Sequence, residues 1–162
     1  MLSKILSKSE CAECKICCSF DSYDLWETPV VTDDIMQRAL EINPQQRFSD
    51  ASGARLFVME CEKDMDLYYC PMLDHQKGCR LGDDKPFDCK IWPFRIMRLE
   101  GRRVIVLSPV CPNVYKKAFN EIKALADELA PIIYVQADKT PEIVKPYIVG
   151  YPILLVEDKN KF

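Results

Sequence analysis

Apolar and polar residues first fall into a helical pattern between Thr32 and Asn43-Pro44. Apolar residues recur at the spacing of one helical face, namely Ile35, Ala39, Leu40 and Ile42. The Thr32 hydroxyl and two acidic residues stand where a cap and the helix dipole favour them, and Asn43-Pro44 is a stop signal. We therefore expect a helix over residues 33–42 that buries this stripe.

Branched and aromatic residues predict a hairpin in the middle of the chain. It joins a strand over residues 54–61 to a partner over residues 67–70, across a turn at 63–66. Gly78 then permits a sharp turn directly before Cys79. The hairpin would present Cys70 at a strand end.

A second hairpin joins residues 95–99 to residues 102–107 through the two-residue turn Glu100-Gly101. A short turn or helical turn at 85–94 precedes it. Pro109 ends the second strand, and we expect the chain to bring Cys111 beside the other cysteines.

The longest amphipathic pattern covers residues 113–129, with Pro131 expected to end or kink the helix. Its apolar stripe consists of Val114, Ala118, Ile122, Leu125 and Leu129. A short helix over residues 140–147 and a final strand over residues 151–156 complete the predicted elements.

These elements predict an α+β fold, a small cysteine-rich metal-binding domain with short hairpins and a C-terminal helical segment. The length suits a single domain over residues 1–162. Within it, residues 11–114 would form the cysteine-rich metal-chelating core, and residues 115–162 a helical and strand appendage.

Charge and hydropathy exclude several classes of partner. A net charge of −3 and a pI near 5.3 argue against nucleic-acid binding. Arg95, Arg98, Arg102 and Arg103 are interpreted as a solvated hairpin face. No apolar run is long enough for a membrane span, and residues 1–10 carry no export pattern, so we expect a cytoplasmic protein.

Nine cysteines are the feature that most needs an explanation. Structural disulfides are rare in a reducing compartment, and an odd number fits poorly with a fully paired scaffold, so metal binding is favoured. Four of the thiols lie within the segment 11–18, as Cys-x-x-Cys-x-x-Cys-Cys. The three-thiolate run is typical of iron–sulfur proteins, whose fourth ligand often comes from a distant Cys-Pro. Cys70-Pro71 and Cys111-Pro112 both qualify.

Eight cysteines are candidate metal ligands: Cys11, Cys14, Cys17, Cys18, Cys70, Cys79, Cys89 and Cys111. Cys61 lies in an apolar strand pattern, where we expect it to fill the core. His75 is the only histidine and lies in a polar loop; a ligand or proton shuttle there would be additional to eight thiols that already suffice.

The number and nature of the metal centres stay open. Eight thiolates are twice what one tetrahedral zinc or one cubane cluster uses. Adjacent side chains in extended backbone point to opposite sides, so Cys17 and Cys18 would more easily serve two centres than one. The absence of a second close cysteine pair favours a 4Fe-4S cluster over Zn²⁺. Loss of the metal should unfold the cysteine-rich part.

The full pattern resembles the CxxCxxCC proteins, also called the YkgJ family, which are described as zinc- or iron-chelating domains. The matching segments are Cys11–Cys18, Cys70-Pro71, Gly78-Cys79, residues 85–89, Pro93-Phe94 and Cys111-Pro112. Lys85 and Lys90 stand where the family usually has arginine, which would weaken bidentate recognition of a carboxylate or phosphate. The same domain is similar to part of the flagellin lysine N-methylases, which implies a redox or methyl-transfer link. No adenosylmethionine loop is evident, so that activity is not carried over.

Three functional hypotheses follow. The first is a metal-binding protein with an iron–sulfur cluster, serving electron transfer, sensing or an unidentified modification reaction. The second is a zinc-stabilised, non-catalytic interaction or adaptor domain, whose protein partner the sequence does not identify. The third is a thiol–disulfide protein that acts through Cys17-Cys18. No glycine-rich phosphate loop or nucleophile–base pair is evident, so no catalytic residue is assigned.

Overall fold

The computed structural model describes residues 2–21, 25–51, 53–62 and 66–158 of the chain. Its α-helices are α1 (Lys8–Cys14), α2 (Asp33–Ile42), α3 (Phe87–Ile91) and α4 (Phe119–Lys139). Its strands are β1 (Ser19–Phe20), β2 (Phe48–Ala51), β3 (Ala54–Phe57), β4 (Glu60–Glu62), β5 (Leu67–Tyr69), β6 (Leu73–Asp74), β7 (Gly78–Cys79), β8 (Phe94–Leu99), β9 (Arg102–Leu107), β10 (Lys145–Pro146) and β11 (Ile153–Val156).

The strands form four small sheets, with strand orders β1-β5-β4, β2-β3, β6-β7 and β10-β8-β9-β11. Neighbouring strands are antiparallel except for the parallel pair β10 and β8. Separate helices and mostly antiparallel sheets confirm the predicted α+β class.

The chain forms two compact units, which are described separately. We call Lys8–Lys90 the cysteine-rich unit, and Met1–Ser7 together with Ile91–Phe162 the hairpin unit. The single-domain organisation expected over residues 1–162, with its core at 11–114 and its appendage at 115–162, stays a prediction.

Helix α2 supplies one side of the core of the cysteine-rich unit. It spans the residues predicted from the apolar stripe, and Ile35 and Ala39 are buried. The core cluster consists of Val31, Ile35, Ala39, Phe57, Met72 and Leu81. The predicted boundary is confirmed, but the Thr32 hydroxyl donates to the Asp34 carboxylate instead of accepting from the helix backbone.

The strand predicted over residues 54–61 is divided between two sheets. Its first half is β3, which pairs with β2, a strand that the sequence pattern did not predict. The Val58 amide then donates to the carbonyl of Arg47, and the chain continues as β4, the predicted partner of β5. Residues 63–65 of the predicted turn lie outside the described residues.

The predicted hairpin of β8 and β9 is the centre of the hairpin unit. The two strands pair in register from Phe94 opposite Leu107 to Leu99 opposite Arg102. Glu100 and Gly101 both have positive φ, 48° and 77°, as a two-residue type I′ turn requires. This part of the fold agrees with the sequence-based prediction.

Helix α4 begins later and ends later than predicted. It starts at Phe119 because the Glu121 carboxylate accepts a 3.1 Å hydrogen bond from the Ala118 amide and caps the first turn. It continues through Pro131 to Lys139, since Ile133 and Ala137 extend the buried stripe beyond the proline. Tertiary packing on β8 and β11 therefore overrides the proline as a stop signal.

The end of the chain is more extended than expected. The predicted short helix over 140–147 is wrong: residues Pro141–Ile143 form a single 3₁₀ turn, and β10 follows it beside β8. The final predicted strand is confirmed as β11, which pairs with β9.

The arginines of the hairpin do not form one solvated face. Arg98 and Arg102 are exposed, but Arg95 is buried at 6% exposure. Arg103 binds the Glu157 carboxylate through two nitrogens, pairs with Asp138 at 2.6 Å, and its guanidinium lies 5.4 Å from the centre of the Tyr134 ring. Arg103 thus ties α4 to the sheet, and the prediction of a solvated face is wrong for these two residues.

Helix α4 is the longest helix of the described residues. Neither it nor any other helix in those ranges combines the length and apolar character that crossing a lipid bilayer would require.

Candidate metal centre

Seven of the eight candidate ligands lie in the cysteine-rich unit, on or next to five short elements. Cys11 and Cys14 are on α1, Cys17 and Cys18 in the 3₁₀ turn Ile16–Cys18, Cys70 and Cys79 at β5 and β7, and Cys89 on α3. Cys111 belongs to the hairpin unit.

Lys15 separates the first two thiols from the second two. Its backbone is left-handed, with φ of 55°, an uncommon conformation for a residue with a side chain. This residue ends α1 and starts the 3₁₀ turn, in which the Cys18 amide donates a 2.9 Å hydrogen bond to the Lys15 carbonyl. The Lys15 ammonium also donates to the carbonyl of His75, so the turn is held to the loop that precedes Cys79.

Cys70 is held against Cys18 by the main chain. The Cys70 amide donates a 2.9 Å hydrogen bond to the Cys18 carbonyl, and the following pair of the ladder joins Ser19 to Tyr69. Because backbone bonds set this contact, the two thiol-bearing segments are neighbours irrespective of what the sulfurs bind.

The β6–β7 turn positions Cys79. Asp74 Oδ1 accepts hydrogen bonds of 2.8 Å from the amides of Gln76 and Lys77, and Gly78 completes the turn with φ of 84°. A Cβ atom built on Gly78 would lie 3.9 Å from the Cβ of Ala12, so α1 packs closely on this turn. The helix that carries Cys11 and Cys14 therefore borders the strand that carries Cys79.

Asp88 fixes the helix that carries Cys89. Its Oδ2 atom accepts a 3.0 Å hydrogen bond from the Val30 amide, and both residues are buried. The bond ties α3 to the segment that leads into α2. Asp88 also contributes negative charge beside the Cys89 thiol.

Five of the thiols influence one another electrostatically: Cys17, Cys18, Cys70, Cys79 and Cys89, which we call the five-thiol group. The pKa of Cys18 is raised by its contact with Cys17, by burial and by the charges of Cys70 and Cys89. Burial, reinforced by Cys79 and Cys17, raises the pKa of Cys70 to about 12. Burial also raises the pKa of Cys89, with Cys70 the next cause. At neutral pH without a bound cation, these three sulfurs are thiols.

Clustered thiols with raised pKa values suit a soft cation. Each thiolate is costly while buried beside other thiolates, and a positive ion among them removes that cost. Four sulfur donors are the usual complement of structural zinc and of a cubane cluster. The donor chemistry of the five-thiol group therefore fits either group.

The contact between Cys17 and Cys18 corrects one expectation. Their sulfurs lie 3.9 Å apart, because the two residues occupy a 3₁₀ turn and not extended backbone. The geometric reason for assigning these two cysteines to two different centres is therefore wrong.

The cysteine sulfurs do not surround a common position as the ligands of a bound metal would. Within the described ranges, no three side chains of His, Cys, Asp or Glu already have the arrangement of a metal site. All nine cysteines lie in those ranges, and the structure holds them as thiols without disulfide bonds. Ligation would thus require rotation of the side chains within the group.

The remaining candidates differ in their surroundings. Cys111 is buried in the hairpin unit. The pKa of Tyr115 is raised first by burial of its hydroxyl and second by the charge of Cys111. Its role as a ligand stays a prediction. His75 is exposed and packs edge-on against Tyr69, with ring centres 5.1 Å apart.

The expectation that Cys61 fills the core is wrong, because it is exposed on β4. This strand is the edge of the three-stranded sheet. Cys61 lies opposite Tyr68, raises its pKa and is hydrogen-bonded to it.

Sequence reasoning missed two residues that shape the group, Lys15 and Asp88. A lysine gives no signal that its backbone will be left-handed. The signal for Asp88 was its place between Pro86-Phe87 and Cys89, where a short polar side chain can bond to a neighbouring backbone.

Comparison with known proteins adds no relative. No protein-family model matches the chain, and neither a curated protein nor a solved structure matches it. The resemblance to the CxxCxxCC family therefore depends on the cysteine pattern alone.

Proposed function

We propose that this protein binds a metal centre, an iron–sulfur cluster or zinc, through cysteine thiolates. The five-thiol group would supply the main ligands, and Cys11, Cys14 and Cys111 are the further candidates. The observation that carries the proposal is that five cysteines from four separate parts of the sequence lie close enough to affect the pKa values of Cys18, Cys70 and Cys89, with Cys17 and Cys18 in direct contact. Ionising these thiols is costly while they are buried together, and a bound cation would remove that cost.

Two observations bear on the kind of centre. The Cys-x-x-Cys-x-x-Cys run with a distant Cys-Pro supports a cubane cluster, as in ferredoxins. The left-handed Lys15 divides that run between a helix and a 3₁₀ turn, which differs from a single loop around a cluster. We keep 4Fe-4S as the first candidate and Zn²⁺ as the second. A bound iron–sulfur cluster would supply electron transfer or sensing, and a bound zinc ion would supply structural stability.

The alternative function is a zinc-stabilised interaction or adaptor domain without catalysis. Exposed apolar side chains of the hairpin unit favour it, in particular Val149 at 90% exposure and Phe119 at 66%. Side chains of this type are common in protein–protein contacts. The protein partner is not identified by this surface.

The proposal includes a cytoplasmic location and excludes nucleic acid and membrane as partners. A reducing compartment would keep the nine cysteines available as thiolate ligands. The net charge of −3 supports the absence of a nucleic-acid surface.

Anaerobic quantification of metal and acid-labile sulfide in the purified protein tests the proposal. We expect iron with sulfide and a broad visible absorbance for a cluster, or zinc without sulfide for the alternative. Cys70→Ser and Cys89→Ser should each lose most of the bound metal, since both thiols belong to the five-thiol group. Cys61→Ser is the matched control, because this exposed thiol lies on β4 beside Tyr68, and it should retain the metal.

Two outcomes would overturn the proposal. One is wild-type protein, prepared without oxygen and supplied with iron, sulfide and zinc, that holds no stoichiometric metal. The other is Cys70→Ser and Cys89→Ser variants that bind as much metal as the wild type does.

A further inference from the structure

Cys17 and Cys18 form a contact of adjacent thiols that coordination alone does not explain. Their sulfurs are 3.9 Å apart and both residues are half-buried. The 3₁₀ turn after the left-handed Lys15 places them side by side. At Ser19 the backbone returns to the extended form, with φ of −124° and ψ of 131°, and pairs with Tyr69. The turn therefore holds the dithiol at the point where a regular strand begins.

The number of sulfurs also points to a second role for this pair. The five-thiol group has one donor more than a tetrahedral zinc or a cubane cluster uses. If four other thiols of the group ligate a metal, then Cys18 is a surplus thiol in direct contact with the ligand Cys17. This step rests on the metal-binding function proposed above.

We propose that Cys17 and Cys18 are a redox modification site: a small-molecule disulfide such as glutathione disulfide oxidises them to a vicinal disulfide, which removes metal-binding capacity from the five-thiol group. The disulfide withdraws two of five sulfurs as thiolate donors. Three thiols then remain in the group, fewer than the four donors of a closed site.

The reaction is an ordinary thiol–disulfide exchange. One cysteine sulfur, as thiolate, attacks a sulfur of glutathione disulfide, so a mixed disulfide forms and one glutathione leaves. The second cysteine sulfur then attacks the cysteine sulfur of the mixed disulfide and displaces the second glutathione. The two protons of the cysteine thiols end on the two glutathione molecules. Two electrons pass from the cysteine sulfurs to the glutathione disulfide.

The bond would need only a local movement to form, and it would be reduced readily. The sulfurs must approach from 3.9 Å to about 2.05 Å, which rotation about the Cα–Cβ bonds of neighbouring residues can provide. Consecutive Cα atoms are about 3.8 Å apart, less than the roughly 4.4–6.8 Å that most disulfides span. The resulting strain makes such a disulfide easy to reduce, and labile disulfides of this kind suit regulation.

The sequence provides a direct assay. Trypsin cleaves after Lys15 and after Arg38, so the peptide 16–38 contains Cys17 and Cys18 and no other cysteine. Reduced, metal-free protein is treated with glutathione disulfide, alkylated and digested, and the mass of peptide 16–38 is measured by mass spectrometry. We expect this peptide to be lighter than its reduced form by two hydrogen atoms and to carry no alkyl group. After reduction, both of its cysteines should be alkylated. Cys18→Ala should instead carry a glutathione adduct, and Cys61→Ala should behave as the wild type.

A second measurement tests the consequence for the metal. After oxidation and removal of glutathione, wild-type protein should lose most of its capacity for zinc or iron, and reduction should restore it. Cys61→Ala, which retains both thiols of the pair, should lose and regain this capacity as the wild type does.

The outcomes separate this proposal from the proposed function. A peptide 16–38 that stays doubly alkylated, or that is found joined to the peptides of Cys70 or Cys89, overturns the vicinal disulfide. An oxidised peptide with unchanged metal capacity overturns the regulatory role. Failure of the unoxidised wild type to bind any metal contradicts the proposed function instead, because the peptide assay needs no metal.

Discussion

The amide of Cys70 donates a hydrogen bond of 2.9 Å to the carbonyl oxygen of Cys18. This bond is made by the main chain, and it joins the N-terminal cysteine segment to the end of β5. Backbone pairing thus brings the Cys18 and Cys70 segments together, and this hydrogen bond involves neither sulfur. A metal would complete a group that the fold has already brought close.

Removal of the proposed metal should unfold or loosen the cysteine-rich unit more than the hairpin unit. The core cluster of the cysteine-rich unit is small, and structural zinc contributes about 10–16 kcal/mol of apparent folding free energy in small peptides. After chelation, hydrogen exchange should accelerate for amides of β5, β7 and α3, whereas amides of β8 and β9 should stay protected. A chelated sample with unchanged exchange and unchanged melting would contradict this expectation.

Replacing Asp88 should lower the free energy of unfolding. Asp88→Ala leaves the buried Val30 amide without the acceptor it has now, and we expect a loss of about 1–3 kcal/mol in urea unfolding. Asp88→Asn retains an oxygen acceptor without the charge, and should lose less. Asp50→Ala, at an exposed position of β2, is the control and should change stability by less than about 0.5 kcal/mol. Equal stability of the alanine and asparagine variants would show that the hydrogen bond is not the cause.

Alkaline pH should destabilise the reduced, metal-free protein. Cys70 has a raised pKa of about 12 in the folded state because burial favours the neutral thiol. Unfolding returns the pKa to its ordinary value near 9, so above that pH the unfolded state binds fewer protons and is stabilised relative to the folded state. The stability is complete below about pH 9 and falls, by up to about 1.4 kcal/mol per pH unit for this thiol, as pH rises towards 12.

The slope of unfolding free energy against pH measures this effect. Lysines and tyrosines also titrate in the same range, so the comparison is between variants at each pH. Cys70→Ala should reduce the slope, whereas Asp50→Ala, which changes an exposed side chain of β2 and removes no thiol, should leave it as in the wild type. Equal slopes for the two variants would contradict the burial of a neutral Cys70 thiol.

Local signals were sufficient for some elements of the fold. Thr32 and Asn43-Pro44 delimited α2 correctly, although the Thr32 hydroxyl bonds to Asp34 and not to the backbone. Glu100-Gly101 predicted the turn between β8 and β9, because few other sequences adopt two positive φ angles in succession. These elements depend on short-range chemistry, which is why the sequence alone could identify them.

The arrangement of the site needed information that the sequence does not display. Cysteine spacing identified the candidate ligands, but the partners of each thiol depend on the left-handed Lys15 and on the pairing of β1 with β5. Lysine at a left-handed position is held by its surroundings, and not by its own preference. The exposure of Cys61 likewise follows from the position of β4 at a sheet edge, which a strand pattern does not reveal.

The continuation of α4 through Pro131 leads to a prediction of increased stability. Proline lacks the amide that would donate to the carbonyl of Asp127, and in a helix interior it costs up to about 3 kcal/mol relative to alanine. Pro131 is exposed, so its replacement removes no core contact, and the buried stripe on the opposite side is unchanged. We expect Pro131→Ala to raise the free energy of urea unfolding by about 1–3 kcal/mol. Pro141→Ala, at the first position of a 3₁₀ turn, should give no such gain, since no intrahelical bond is missing there. A Pro131→Ala variant no more stable than the wild type would mean that a bend at Pro131 is needed for the helix to pack on β8 and β11.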